Sequence, residues 1–275
     1  MKRAAGTIAV LVNNLEGVFQ LSVLQGAEEV AAANGFGLAA HPLVGLRSPD
    51  AVRAEVAEAI SGASGVLVLA NAVADDDLAV VAESGLPVTL ISHGTQHLEL
   101  PTMMFDNHQG VALLMQHVVE ACRRRLPVFV GGDTSQLDGQ ERESAFRDEA
   151  VRHGLTVPPE NYLRGEFTPR LAADALAAFL AGGGQCDAVI AADYLMAIEA
   201  QAVVLAAGLR VPDDLAVVGF GDGPEAEAAG VTTVAADVVE LGRRAARQLM
   251  AQLSGQPLVG STLLSTHLVR RSSSC

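Results

Sequence analysis

Several things are scarce in this sequence, and each scarcity removes a class of protein. No run approaches the roughly 18 apolar residues that a bilayer-spanning helix needs, so no membrane segment is expected. Basic residues are outnumbered, with 18 Lys and Arg against 32 Asp and Glu, for a formal net charge of -14. A surface of that sign repels phosphate backbones, which argues against nucleic-acid binding by these residues themselves. Cysteine occurs 3 times, at 122, 186 and 275, and the expectation is reduced thiols in a cytoplasmic setting. Lys2 and Arg3 ahead of Ile8 to Val12 imitate a secretory leader. Asn13 and Asn14 break that apolar run and no small-residue cleavage site follows, so it reads as a first strand.

The loops that mark common α/β enzymes are also missing. The first strand leaves through Asn13-Asn14-Leu15-Glu16-Gly17, which lacks the glycine spacing that lets backbone approach a pyrophosphate, and no Gly-Lys-Ser/Thr loop occurs. There is no Gly-x-Ser-x-Gly elbow, and no cysteine sits in a recognisable activating context. Gly219, Gly221 and Gly223 alternate after a strand but are followed by Pro224, and read as turn glycines; Gly182 to Gly184 read as a helix stop. His93 and His97 are four apart, yet they flank Gly94-Thr95-Gln96 in a loop without a third ligand, so no metal site is expected. The reading is of a protein that is not an enzyme and needs no cofactor.

What is present is a buried-strand and helix alternation in a chain of 50% hydrophobic and 18% charged residues. Strands are expected at Thr7–Val12, Leu38–Ala40, Val66–Leu69, Val88–Ile91 and Thr102–Phe105, and again at Val128–Val130, Tyr162–Leu163, Ala188–Ala192 and Val217–Phe220, with helices between them. Ser48 and Pro49 open one helix as cap and first residue; Gly35 and Gly208 close two others. The alternation implies parallel sheets covered on both faces, and two consecutive sets of similar size fit two lobes with a cleft between them. Asn13, Asn71, Ser92, Phe105, Asp193 and Asp222 all fall at or just past strand ends, where an open parallel sheet presents groups to a ligand. Amides, hydroxyls, carboxylates and an aromatic face suit a small polar molecule.

The sequence resembles the effector-binding module of the lactose-repressor (LacI/GalR) family, itself similar to periplasmic sugar-binding proteins. The resemblance rests on Phe105-Asp106-Asn107-His108-Gln109-Gly110, Glu141-Arg142, Cys186 to Ile190, Met196-Ala197, Pro212-Asp213 with Val217 to Phe220, Thr232 to Val234 with Glu240 to Gly242, and Leu268 to Arg271. It implies two Rossmann-like lobes of the periplasmic-binding-protein type I, residues 7–124 with 234–258 and residues 125–233 with 259–275, that hold ligand between them and work as a homodimer. The contacts it implies are Asn13, Phe19, Asn71, Ser92 and Phe105 from the first lobe and Arg142, Phe167, Asp193 and, less directly, Asp222 from the second. The planar fork of Arg142 suits two oxygens of a sugar or carboxylate. Two positions depart from the family pattern: Asp193-Tyr194 replaces Asn-Asp, and Gly221 stands where a ligand-binding carboxylate is usual. The family's helix-turn-helix head is expected to be absent, so DNA would be reached only through another domain. Alternatives are a sensor fused to a kinase or cyclase, a solute-binding protein, or a module that dimerises without ligand.

Overall fold

The alternation resolves into twelve strands and nine α-helices among the residues that the computed structural model describes, which are 6–43, 48–70, 72–95, 98–256 and 260–275. The first stretch runs β1 (Gly6–Val12), α1 (Val18–Ala33), β2 (Phe36–Pro42), α2 (Pro49–Ile60), β3 (Gly65–Leu69), α3 (Asp75–Glu83), β4 (Val88–Ile91) and β5 (Thr102–Phe105). After α4 (Asn107–Gln116) and a π-helical turn at His117–Ala121 come β6 (Pro127–Gly131), α5 (Leu137–Arg152), β7 (Tyr162–Arg164), α6 (Pro169–Ala181), β8 (Ala188–Ala191), α7 (Tyr194–Ala206) and β9 (Ala216–Phe220). The chain closes with α8 (Pro224–Ala229), β10 (Thr232–Ala235), α9 (Val238–Leu253), β11 (Thr262–Leu264) and β12 (His267–Val269).

The strands form two six-stranded sheets, ordered β11-β5-β4-β3-β1-β2 and β12-β10-β9-β8-β6-β7. Every pairing is parallel except β10 with β12. The central strands are apolar on both faces and buried on both, as a helix-covered parallel sheet requires. Local signals act as the sequence predicts. Ser48 Oγ accepts the Ala51 amide at 3.2 Å to cap α2, and Gly35 and Gly208 follow their helices in the left-handed region, at φ 82° and 79°.

Two compact units result, residues 1–105 with 237–264 and residues 106–236 with 265–275. The division differs from the expected one in three places. Helix α4 belongs to the second unit, because Gly110 packs on the Phe220 ring, where an added Cβ would stand 2.3 Å from Cε2. β10 likewise stays wholly in the second unit, hydrogen-bonded to β9. Of residues 259–275, all expected in the second lobe, β11 pairs with β5 in the first sheet, and only β12 joins the second sheet, beside β10. An apolar helix face or short strand does not encode which sheet it completes.

The return of α9 to the first unit depends on two glycines. A Cβ on Gly26 would lie 1.9 Å from the Val239 carbonyl oxygen, and one on Gly242 2.1 Å from that of Val23, so α1 and α9 touch backbone to backbone. No side chain can yield there. Gly242→Ala is expected to destabilise the first unit by about 1–3 kcal/mol through overpacking, despite alanine's better helix propensity; denaturant melts that show a gain instead would refute the close contact.

Candidate ligand site

In a parallel sheet all strands end at the same edge, so the residues that follow them are neighbours. At that edge of the first sheet, Asn13 follows β1, and its Oδ1 accepts from the Asn14 amide at 3.0 Å and from Gln20 Nε2 at 3.2 Å. Phe19 stands in the first turn of α1, half-buried. Phe105 closes β5 and is buried. Asn71 lies outside the described residues. Ser92 follows β4 at φ 47°, and its Oγ is buried with no hydrogen-bond partner among the described residues. A buried hydroxyl left unpaired costs about 1–3 kcal/mol, a cost that a hydrogen-bonding ligand would remove.

The corresponding edge of the second sheet is organised by Arg142. Helix α5 turns it inward until 7% of it is exposed. Its Nε donates to Asn107 Oδ1 and its Nη1 to the Ala192 carbonyl, each at 2.8 Å, while Nη2 lies 3.6 Å from Asp138 Oδ2. Asn107 in turn donates to Asp138 Oδ1 at 2.8 Å and Glu141 Oε2 at 2.7 Å. The guanidinium lies over the Phe220 ring, 3.8 Å from its centroid, with Phe167 at 5.7 Å; such stacking suits a planar, weakly hydrated cation. Burial draws the Arg142 pKa down while Asp138, Asp193 and Glu141 draw it up, and the guanidinium keeps its proton. Asn107, Asp138 and Phe220 are residues that sequence reasoning did not place in the site. Asn107 lay within the motif after β5, and only its role was unread.

Phe167 is held by an uncommon turn in which both Glu166 and Phe167 take positive φ, 52° and 51°. Its ring covers Gly132 so closely that a Cβ there would be 2.2 Å from Cζ. Asp193 serves first as the cap of α7, its Oδ1 accepting the amides of Leu195 at 2.8 Å and Met196 at 3.3 Å. Burial raises its pKa against the pull of those amides and of Arg142. Asp222 is committed elsewhere: Arg271 donates to both its oxygens at 2.8 Å, and Thr233 Oγ1 donates at 2.9 Å. Burial pushes the Asp222 carboxyl up, but those hydrogen bonds and the Arg271 charge outweigh it and hold the pKa below the ordinary value.

The two positions that depart from the family pattern meet in the structure. Gly221 takes φ 85°, and a Cβ on it would meet Tyr194 Cδ1 at 3.1 Å. The Tyr194 ring fills the space beside 221, and its hydroxyl donates to Glu225 Oε2 at 3.4 Å. Burial, and next the Glu225 charge, push the Tyr194 pKa up to about 12.

One side reading is refined and one changes. His93 lies in a loop as expected, but the loop buries it: Nε2 lies 3.0 Å from the Val73 carbonyl and Nδ1 2.7 Å from that of Gly94, with burial lowering its pKa. His97 lies outside the described residues. The expectation of reduced thiols fails for Cys122 and Cys275, which form a disulfide across 153 residues of sequence with a Cα separation of 5.2 Å. Sequence distance hid the pair, since only the folded second unit brings them together. Cys186 is free, its thiol pushed up to about 11 by burial and by Asp187.

Two α/β units whose largely parallel sheets present polar and aromatic groups at their carboxyl edges have the architecture of the periplasmic-binding-protein-like class. Residues 115–274 match the family described as periplasmic binding protein-like domain. The chain belongs to that family. It is 31% identical over 208 residues to the HTH-type transcriptional regulator CelR of Thermobifida fusca, a match covering 72% of this chain and 60% of that protein. It is 26% identical over 275 residues to the HTH-type transcriptional repressor CytR of Escherichia coli K12, covering 97% and 79%. Among solved structures, a CelR–cellobiose complex matches with a TM-score of 0.88 at 26% identity, covering 98% of this chain and 85% of that one. The lac repressor dimer bound to operator and an anti-inducer matches in fold with a TM-score of 0.89 at 21% identity, covering 99% and 95%. These relatives are named as regulators, not enzymes. No helix among the described residues is long and apolar enough to cross a membrane.

Proposed function

We propose that this chain is the effector-sensing part of a LacI-type transcriptional regulator, binding a small polar molecule such as a sugar and passing the change on through a homodimer to a helix-turn-helix segment of the kind named in its relatives. The observation that carries this reading is the buried Arg142, held by Asn107 and Ala192 over Phe220 at the carboxyl edge of the second sheet. A cation fixed this firmly has its desolvation and ordering costs met before a ligand arrives, so hydroxyl or carboxylate oxygens gain more from it than from a mobile side chain. At the carboxyl edge of the first sheet, the buried Ser92 hydroxyl has no hydrogen-bond partner among the described residues. CelR supplies the probe, since its solved complex holds cellobiose. Ligand action through a population shift requires different affinity for two conformations, and no catalytic step.

The test is a thermal-shift screen with cellobiose and other sugars, nucleosides, purines and small acids. A ligand at about a hundredfold over its Kd should add about 2.7 kcal/mol to stability. Should every probe leave the melting curve unchanged, the reading of an effector sensor loses to a second one, a module that dimerises without ligand. The capture of Asp222 by Arg271 and the Tyr194 ring beside Gly221 favour that second reading.

A further inference from the structure

Three side chains of the second unit bring an imidazole and two sulfurs within 4.8 Å of one another: His117, Cys122 and Cys275. The π-helical turn arranges the first two. The Cys122 amide donates to the His117 carbonyl at 3.0 Å, the five-residue bond of a π turn. In an α-helix, residues five apart point about 140° away from each other, being five steps of about 100°. The wider turn brings Cys122 back to His117, and Sγ lies 3.5 Å from Nε2. Nε2 also meets Ser274 Oγ at 2.8 Å, a hydroxyl with an alternative partner in Thr232 Oγ1 at 2.7 Å. His117 is buried, and burial first, with Arg270 second, lowers its pKa, which favours the neutral ring.

The segment that carries Cys275 is seated without help from the sulfurs. Ser273 donates its amide to Gly230 O at 2.9 Å, and its carbonyl accepts the Val217 amide at 2.9 Å. Its Oγ accepts the Thr232 amide at 2.8 Å. Arg271 grips Asp222. Opening the disulfide would therefore leave Cys275 one residue beyond the buried Ser274, still opposite Cys122. Cys122 is half-buried and Cys275 exposed, so small thiols and disulfides reach them. Arg270, whose Nη2 donates to the Cys275 carbonyl at 3.2 Å, adds a positive charge that favours thiolate.

We propose that Cys122 and Cys275 form a thiol–disulfide exchange site, with His117 as base for Cys122 and low-molecular-weight disulfides and thiols as co-reactants. In the oxidising direction Cys122 passes its proton to Nε2 of His117, and the thiolate attacks one sulfur of an external disulfide RS–SR. The Cys122–SR bond forms, the RS–SR bond breaks, and RS⁻ leaves with the electron pair and takes the proton from the imidazolium. Cys275 then gives its proton to solvent and its thiolate attacks Cys122 Sγ, closing the protein disulfide and releasing the second RS⁻, which takes a proton from solvent. The balance is two protein thiols and RSSR giving one protein disulfide and two RSH.

The test uses the full chain in glutathione mixtures of graded ratio, with free thiols trapped by alkylation and counted by mass. Cys122 and Cys275 should open and close together, while Cys186 stays a single slow thiol throughout. Cys275→Ser, at an exposed position, should trap one glutathione on Cys122. Adding His117→Gln, with folding checked by melting, should slow that trapping on the order of tenfold at neutral pH. Several outcomes would overturn the proposal: a bond that persists in the folded protein under millimolar reduced glutathione, which would make it a static crosslink; two thiols that stay free in oxidised glutathione; trapping at an unchanged rate without His117; or Zn2+ uptake by the reduced protein that blocks closure, which would make the group a metal site.

Discussion

Arg142→Ala should destabilise the second unit by about 3–5 kcal/mol, the cost typical of removing one member of a buried charged network. The cation now compensates a group of acceptors that cannot reach water easily. Without it, the Ala192 carbonyl and Asn107 Oδ1 lose a donor, and Asp138 and Glu141 lose the neighbouring cation while keeping the Asn107 amide. The Phe220 ring also loses the plane that covers it. Arg142→Lys should recover only part of the loss, because one ammonium on a flexible stem cannot satisfy Asn107 and Ala192 while lying flat on the ring. Arg142→Met tests the charge separately: it restores much of the volume and should still lie close to the alanine variant. Denaturant titrations of the three proteins provide the measurement. If alanine unfolds at the wild-type midpoint, the network is not what holds this edge together, and the ligand role assigned to Arg142 loses its structural basis as well.

The sequence carried the parts of this fold that depend on neighbours along the chain. Strand and helix positions, the Ser48 cap and the Gly35 and Gly208 stops follow from apolar periodicity and local backbone chemistry, and these appear within a few residues of the expected places. What depends on contacts between distant segments did not show. The placement of α4, the split of β11 from β12, the backbone contact of Gly26 with Gly242's helix and the Cys122–Cys275 bond each join residues far apart in the chain. The candidate site divides the same way. Residues just past strand ends could be named from the pattern, and the inward turn of Arg142 was implied by resemblance. The occupation of Asp222 by Arg271 was beyond either, because the partner arrives 49 residues later. A polar residue at a sheet edge is a candidate only until its other partners are known.

That lesson bears most on Gly221, where restoring the family's carboxylate should fail. Gly221→Asp would place a side chain at φ 85°, which costs a non-glycine residue about 1–2 kcal/mol. Its Cβ would press on Tyr194 Cδ1 at 3.1 Å, adding about 1–3 kcal/mol of overpacking unless the ring moves. The Tyr194 pKa is raised first by burial and next by the Glu225 charge; a further carboxylate at 221 would add to the negative charge of Glu225 and so enter against repulsion. The substitution should therefore destabilise the protein by about 2–5 kcal/mol rather than create a ligand contact. Tyr194→Ala removes the obstructing ring at its own cost, and in that background Gly221→Asp should retain mainly the backbone penalty. The double-mutant cycle should then return a coupling of about 1–3 kcal/mol. Additivity within about 0.5 kcal/mol would mean that Gly221 and Tyr194 changed independently. Coupling of the expected size would mean that the ring displaced the carboxylate, and that the chemistry of this edge is set by an aromatic face and a fixed arginine rather than by an acid.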